Sequence, residues 1–203
     1  MLQPQEVKNT YGTGCFILMN VGNQPVQSTH GLLSTVCYSV KPGEVFYALE
    51  GAVETAGAAI TWAKKIGLIN METIEADARS VEDSGDVYFV PSFSGIFSPY
   101  WDDQARGLLI GLNHGTTREH IVRAILEAAC LRSDEVVTAM RKDAKVEQNI
   151  RMMVDGGMSV NDLVLQSQAD FSSAIIVRKQ EQEVTGLGAA IAAGLHAGLF
   201  TSL

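Results

Sequence analysis

The sequence predicts an α/β fold, a mixed sheet with helices packed on its faces, and three observations carry that expectation. The first quarter holds apolar, β-prone runs separated by turn residues. The remainder alternates segments of helical period with short apolar runs. One of those runs stops at Asp155-Gly156-Gly157, immediately before a new helix is expected. An element order of β-β-β-α-β-α-β-α-β-α suits a mixed sheet with helices against it.

Cys15 to Val21, Leu32 to Val40 and Glu44 to Leu49 read as strands, divided by Gly22-Asn23-Gln24-Pro25 and Lys41-Pro42-Gly43. Turn residues between short β-prone runs predict an antiparallel meander. From Gly51 the period changes. Val53, Ala56, Gly57, Ile60 and Ala63 fall on one helical face, Glu50 and Glu54 lie at the start, and Lys64-Lys65 with Gly67 close the end. Acidic side chains early and basic ones late suit the helix dipole, and glycine suits the stop. The acidic stretch from Asn70 to Asp86 reads as a helix fragment with a loop, and Val87 to Pro91 as a short buried strand. A long helix is expected from Thr117 to Met140, with Thr116 and Glu119 in capping-box spacing and Ile121, Ile125 and Ala128 buried. Ile150 to Val154 is then a strand, Asn161 to Ala169 a helix, Ala174 to Val177 a strand, and Thr185 caps a final Ala/Gly-rich helix.

A chain of 203 residues is long enough for a sizeable core. Its formal charge of −8 argues against nucleic acid and against anionic membrane surfaces as partners, because both demand basic patches. Cys15, Cys37 and Cys130 are odd in number and sit among apolar neighbours, so they read as reduced thiols. No run approaches the length of a membrane span and Met1 to Glu6 lacks a signal peptide's basic start, so the expected location is cytoplasmic. His30, His114, His120 and His196 make no metal-spaced set.

Chemistry is suggested first by Val154-Asp155-Gly156-Gly157. Glycine lets the main chain approach a ligand, and the first amides of a following helix have no internal partners and attract phosphate. The same pattern is also an ordinary connection between a strand and a helix.

Three further segments, together with that run, carry a family resemblance. Tyr11-Gly12-Thr13-Gly14-Cys15-Phe16, Ala48-Leu49-Glu50-Gly51-Ala52-Val53 with Ala56-Gly57, Pro99-Tyr100-Trp101-Asp102 with Ala105-Arg106-Gly107, and Asp155-Gly156-Gly157 stand in the order found in the FGGY carbohydrate kinase family. Gly107-Leu108-Leu109-Ile110-Gly111-Leu112, followed by His120-Ile121 and Ala124 to Glu127, is similar to a second signature of that family. The resemblance spans nearly all of residues 8 to 200 and is strongest to the members that phosphorylate glycerol.

That resemblance implies an actin-like ATPase, or ribonuclease H-like, fold. It also implies that residues 1–203 are the C-terminal nucleotide-binding domain of such a kinase, its N-terminal domain lying outside this sequence. The reaction implied is transfer of the γ-phosphoryl group of ATP, with Mg, to glycerol, giving glycerol 3-phosphate. The catalytic base, the magnesium carboxylates and most polyol contacts belong to the N-terminal domain, so this chain alone is expected to be inactive. Within this sequence the resemblance assigns nucleotide binding to Thr13, Gly57, Gly157 and Asn161, and assigns the wall beside glycerol to Phe16. Each has a structural reading too. Thr13 fits a tight turn, Phe16 a core strand, Gly57 close packing within a helix, and Asn161 a polar first turn.

The sequence also departs from the family pattern. Glu54-Thr55 replaces a more apolar pair, Thr61 stands in place of a glutamine near the nucleotide, Leu131-Arg132-Ser133-Asp134 differs from a glutamine-threonine-arginine run, and Gly186 replaces an alanine. A kinase for a related polyol or sugar, or a non-catalytic nucleotide-binding module, is the alternative reading. Expected partners are ATP or ADP, glycerol, the N-terminal kinase domain and a second copy in a homo-oligomer. Asp102 and Arg106 are expected to pair, Trp101 to anchor its loop, and Met152, Met153 and Met158 to fill the core.

Overall fold

The computed structural model describes residues 3–41, 43–178 and 184–201. A six-stranded mixed sheet organises the chain, in the order β3-β4-β2-β1-β7-β8. Its strands are β1 (Val7–Tyr11), β2 (Cys15–Gly22), β3 (Leu33–Lys41), β4 (Glu44–Val53), β7 (Arg151–Gly156) and β8 (Ile175–Arg178). A two-stranded sheet pairs β5 (Tyr88–Val90) with β6 (Leu108–Ile110). The helices are α1 (Gly57–Lys65), α2 (Ile74–Arg79), α3 (Arg118–Ala144), α4 (Asp162–Ser172) and α5 (Val184–His196), with a 3-10 turn at Gly157–Val160.

The first four strands are antiparallel, but they do not form the expected meander. β4 pairs with both β3 and β2 and lies between them. The apolar content predicted each strand, while the long connection from Gly22 to Leu33 carries the chain past a neighbour before it turns back. β1 falls in a run too polar to stand out, and it is central: antiparallel to β2, parallel to β7.

The helix expected from Gly51 begins six residues later. Gly51, Ala52 and Val53 pair with Ile17, Phe16 and Cys15, so their helical spacing is overridden by ladder hydrogen bonds. Gly51 is needed in that strand because a Cβ there would overlap Val136 of α3. Gly57 accordingly opens α1 instead of lying mid-helix.

The N-terminal box of α3 is Thr117 with His120, not Thr116 with Glu119. Thr116 Oγ1 already accepts from Asn113 N at 2.9 Å, and Glu119 pairs with Arg118. The acidic segment does carry the short α2. The expected strand at Val87 to Pro91 forms, with Phe89 buried, although Tyr88 faces out. Its partner β6 was hidden within a loop signature. Thr185 is the second residue of α5, so it does not cap that helix.

The core lies between the sheet and α3, α4, α1 and α2, which pack against one another. Val7, Asn9 and Tyr11 of β1 and Cys15, Ile17 and Met19 of β2 point into it. Lys8, Thr10, Phe16 and Leu18 take the other face by strand alternation. Two buried polar links tie β1 to the helices: Asn9 Nδ2 donates to Ser133 Oγ at 3.2 Å, and Tyr11 OH donates to Gln168 Oε1 at 2.6 Å. Burial raises the Tyr11 phenol well above its usual range, so it stays a donor.

Candidate functional site

The sequence motifs converge where parallel strands β1 and β7 end side by side. Tyr11 is in register with Gly156, which places the Gly12–Gly14 hairpin tip beside the turn that leaves β7. Gly156 has φ +87°, and a Cβ there would overlap the carbonyl of Tyr11, so no other residue lets the two strands finish this close.

A cavity of about 640 Å³ opens between this turn, α1 and α2. Its walls include Tyr11, Gly12, Gly57, Ile60, Thr61 and Lys64 on one side, Met71, Ile74 and Glu75 on another, and Gly157, Met158, Asn161 and Val164 on a third. The lining is mainly apolar with a few polar groups, and its size suits a small planar molecule. Of the residues expected to bind nucleotide, Gly57, Gly157 and Asn161 line the cavity together. Thr13 stands exposed on the hairpin tip next to Gly12, at the rim and outside the lining. Phe16 lies three residues further along on the open face of β2, 54% exposed, which removes its reading as a core residue.

The helix start expected to cradle phosphate is partly filled. Two of the first amides of α4 are already occupied: Asp162 N donates to Glu75 Oε2 at 3.2 Å, and Val164 N to Asn161 Oδ1 at 3.1 Å. Those of α1 are occupied as well. Ala56 N and Ala58 N donate to Thr13 O at 2.8 and 2.9 Å, and Gly57 N to Gly12 O at 3.1 Å. The N-terminus of α1 is therefore closed, and that of α4 is largely filled. What the arrangement leaves open is the hairpin itself. Among the described residues, the amides of Thr13 and Gly14 make no intramolecular hydrogen bond. The helix caps hold the hairpin, and the hairpin presents the donors.

Gly157 differs from its neighbours in having nothing within 4 Å of a would-be Cβ, so its Cα faces open space in the cavity. Asn161 does two things at once. It is the N-cap of α4 through Oδ1, as its polar first-turn reading expected, and it also lines the cavity. Its Nδ2 has no partner among the described residues.

Thr61, which the family comparison placed near the nucleotide, lines the cavity, and Lys64, which the sequence reading missed, extends it. They fall at i+4 and i+7 from Gly57, on the same helix face, and that spacing was the available signal. Glu75 was also missed, because its role depends on α2 being folded back against α4. Of the remaining expectations, Asp102 and Arg106 do not pair. Asp102 Oδ1 accepts from Gln104 N and Ala105 N, and Arg106 Nη1 donates to Asp103 O and Ala105 O. Trp101 does anchor its loop, Nε1 donating to Gly31 O at 2.8 Å. Met152 and Met158 are buried, and Met158 also lines the cavity.

Among the described residues no three His, Cys, Asp or Glu side chains converge as a metal site. Nor is any described helix long and apolar enough to cross a membrane.

A mixed sheet with helices, a β-hairpin facing a glycine turn and a cavity beside both is the arrangement of the actin-like ATPase fold, as in the FGGY kinases. Residues 7–197 match the FGGY family of carbohydrate kinases, C-terminal domain, and the chain belongs to that family. Among curated relatives, the glycerol kinase of Brucella anthropi is 49% identical over 203 residues, covering 99% of this chain and 40% of its own. The probable glycerol kinase of Dictyostelium discoideum is 48% identical, covering 96% of this chain and 36% of its own. The crystal structure of Plasmodium falciparum glycerol kinase with ADP superposes with a TM-score of 0.90 at 38% identity, over 98% of this chain and 40% of that one. The chain thus spans about 40% of the length of the relatives it matches.

Proposed function

We propose that this chain is the nucleotide-binding part of an ATP-dependent kinase acting on glycerol, and that residues 1–203 work as its C-terminal domain with a further N-terminal domain. The observation that carries this reading is the cavity lined by Gly57, Gly157 and Asn161, open at the hairpin whose Thr13 and Gly14 amides lack partners. Relatives named as glycerol kinases and a similar structure holding ADP support the choice of substrate and nucleotide.

In this reading the adenine and ribose occupy the apolar cavity, with Asn161 Nδ2 donating to the base and Gly157 leaving room for it. The phosphates run toward the hairpin. The glycerol hydroxyl oxygen bonds to the γ-phosphorus as the bond to the ADP oxygen breaks, and the hydroxyl proton goes to a carboxylate outside this chain. Charge grows on the transferring group, and the Thr13 hydroxyl with the two hairpin amides stabilises it from fixed positions. Phe16 offers an apolar face to the carbon skeleton. Magnesium, when bound, supplies charge neutralisation from ligands expected in the N-terminal domain. The same view puts the protein in the cytoplasm. The exposed Leu187, Leu199 and Phe200 around α5 give the expected self-association a surface, to be checked by light scattering over a concentration series.

The test is titration calorimetry of this chain with ADP and ATP beside Gly157→Trp. Binding by the parent and not by the folded variant supports the reading. Absence of binding by a folded parent overturns it for the isolated chain.

A further inference from the structure

Two of the departures from the family pattern, far apart in sequence, meet in the fold. The carboxylate of Glu54 lies 3.8 Å from the guanidinium of Arg132, with only 3% and 8% of the two side chains exposed. Glu54 Oε2 accepts from Phe97 N at 3.1 Å, while Arg132 Nη2 donates to Ser98 O at 2.9 Å and Nη1 pairs with Glu135. Together they hold the loop at Phe97-Ser98 against the end of β4, where Ser98 N also donates to Ala52 O at 3.2 Å. Glu54 Oε1 and Arg132 Nε remain buried with no partner.

Such a pair is a poor source of stability, because desolvating two charges offsets most of their attraction, and apolar residues of similar size do as well. Its value is geometric. Glu54 directly follows β4, and its carbonyl and that of Val53 fill the space beneath Gly14, where a Cβ would overlap Val53 O and stand 3.0 Å from Glu54 O. Ala56, Gly57 and Ala58, just beyond, are the residues whose amides hold the carbonyls of Gly12 and Thr13. The segment from Val53 to Ala58 is the seat of the hairpin, and the Glu54 side chain is the link from that seat to α3.

We propose that Glu54 and Arg132 are a positioning pair for the phosphate end of the site: their charges fix the seat of the Gly12–Gly14 hairpin and thereby set the preference for nucleotides carrying a γ-phosphate. This rests on the nucleotide reading above. Neither residue lines the cavity, so the pair acts through the hairpin and its seat, and the walls formed by α2 and α4 stay unchanged.

Glu54→Gln, Arg132→Gln and the double variant separate positioning from general stability. In hydrogen exchange, each single variant is expected to speed exchange at the amides of Ala56, Gly57 and Ala58 by about tenfold, with α4 unchanged, because Arg132→Gln leaves the buried Glu54 carboxylate uncompensated and Glu54→Gln leaves Arg132 paired with Glu135 alone, no longer tied to the seat. The double variant, having neither charge, is expected to recover part of that protection. In calorimetry the single variants lose affinity for ATP and keep that for AMP. Unchanged exchange at the three amides, or an even rise across the chain, would overturn the proposal, as would an ATP-to-AMP ratio equal to the parent's. A parent that binds neither nucleotide overturns the nucleotide reading and the preference with it, and exchange then decides the seating alone.

Discussion

A Cβ placed on Gly57 would stand 2.6 Å from the carbonyl oxygen of Gly12. Gly57 therefore serves the site by packing: it lets the first turn of α1 close against the hairpin, whose tip then faces the cavity mouth. The same glycine lines the cavity that the proposed nucleotide would fill.

Gly57→Ala should push the hairpin away from α1. Overpacking of this kind costs on the order of 1–3 kcal/mol. The expected outcome is a lower thermal midpoint together with weaker ATP binding, measured by calorimetry on the same sample. Gly157→Ala, with open space at its Cβ, should leave the midpoint near the parent's.

Asn161 separates its two roles by substitution. Asn161→Ala removes the cap of α4 and should cost about 1 kcal/mol in denaturant unfolding. Asn161→Asp keeps the oxygen that accepts from Val164 N and loses the amide donor. It should unfold like the parent and bind ADP more weakly. Equal ADP affinity for Asn161→Asp would count against a base contact.

Asp143 pins the loop before β3 to the end of α3. It accepts from Ser28 Oγ at 2.6 Å, Thr29 N at 3.0 Å and His30 Nδ1 at 2.6 Å. Burial alone would raise this carboxyl, but those hydrogen bonds outweigh it and hold it at about 2. A folded value below the unfolded one of about 4 contributes stability that is present above pH 4 and lost as pH falls toward 2. Asp143→Asn should lower stability at neutral pH and flatten that acid limb in urea titrations from pH 5 to pH 2.

The thiols differ in access. Cys15 and Cys130 are buried, and desolvation pushes Cys15 up to about 12 and raises Cys130 well above its usual range. Cys37 is only half-buried. A thiol reagent at pH 8 should label Cys37 first, with Cys15 and Cys130 reacting only after unfolding. Mass spectrometry of peptides would show a wrong order at once.

Much of this was legible in the chain. Apolar runs at Cys15 to Val21 and Ile150 to Val154, and the helical period from Thr117 to Met140, became β2, β7 and α3 because their burial pattern needs no distant information. The ends were less legible. Gly51-Ala52-Val53 has helical spacing and strand partners, and only the ladder with β2 decides between them. β1 is half polar and gains its strand from neighbours on both sides.

From the chain alone one could read the members of the candidate site, a hairpin with Thr13 at its tip, glycines at 57 and 157, and Asn161 at a helix start, because turn, glycine and cap residues are marked in local sequence. Tertiary structure alone decided which donors stay open. The helix start after Gly157 looked available in the chain, yet the carboxylate of Glu75 and the side-chain oxygen of Asn161 take two of the first amides of α4, and the carbonyls of Gly12 and Thr13 fill the start of α1. The same holds for the buried meeting of Glu54 with Arg132. Hydrogen-bond satisfaction is a property of neighbours in space, and a residue's own sequence context cannot reveal who those neighbours are.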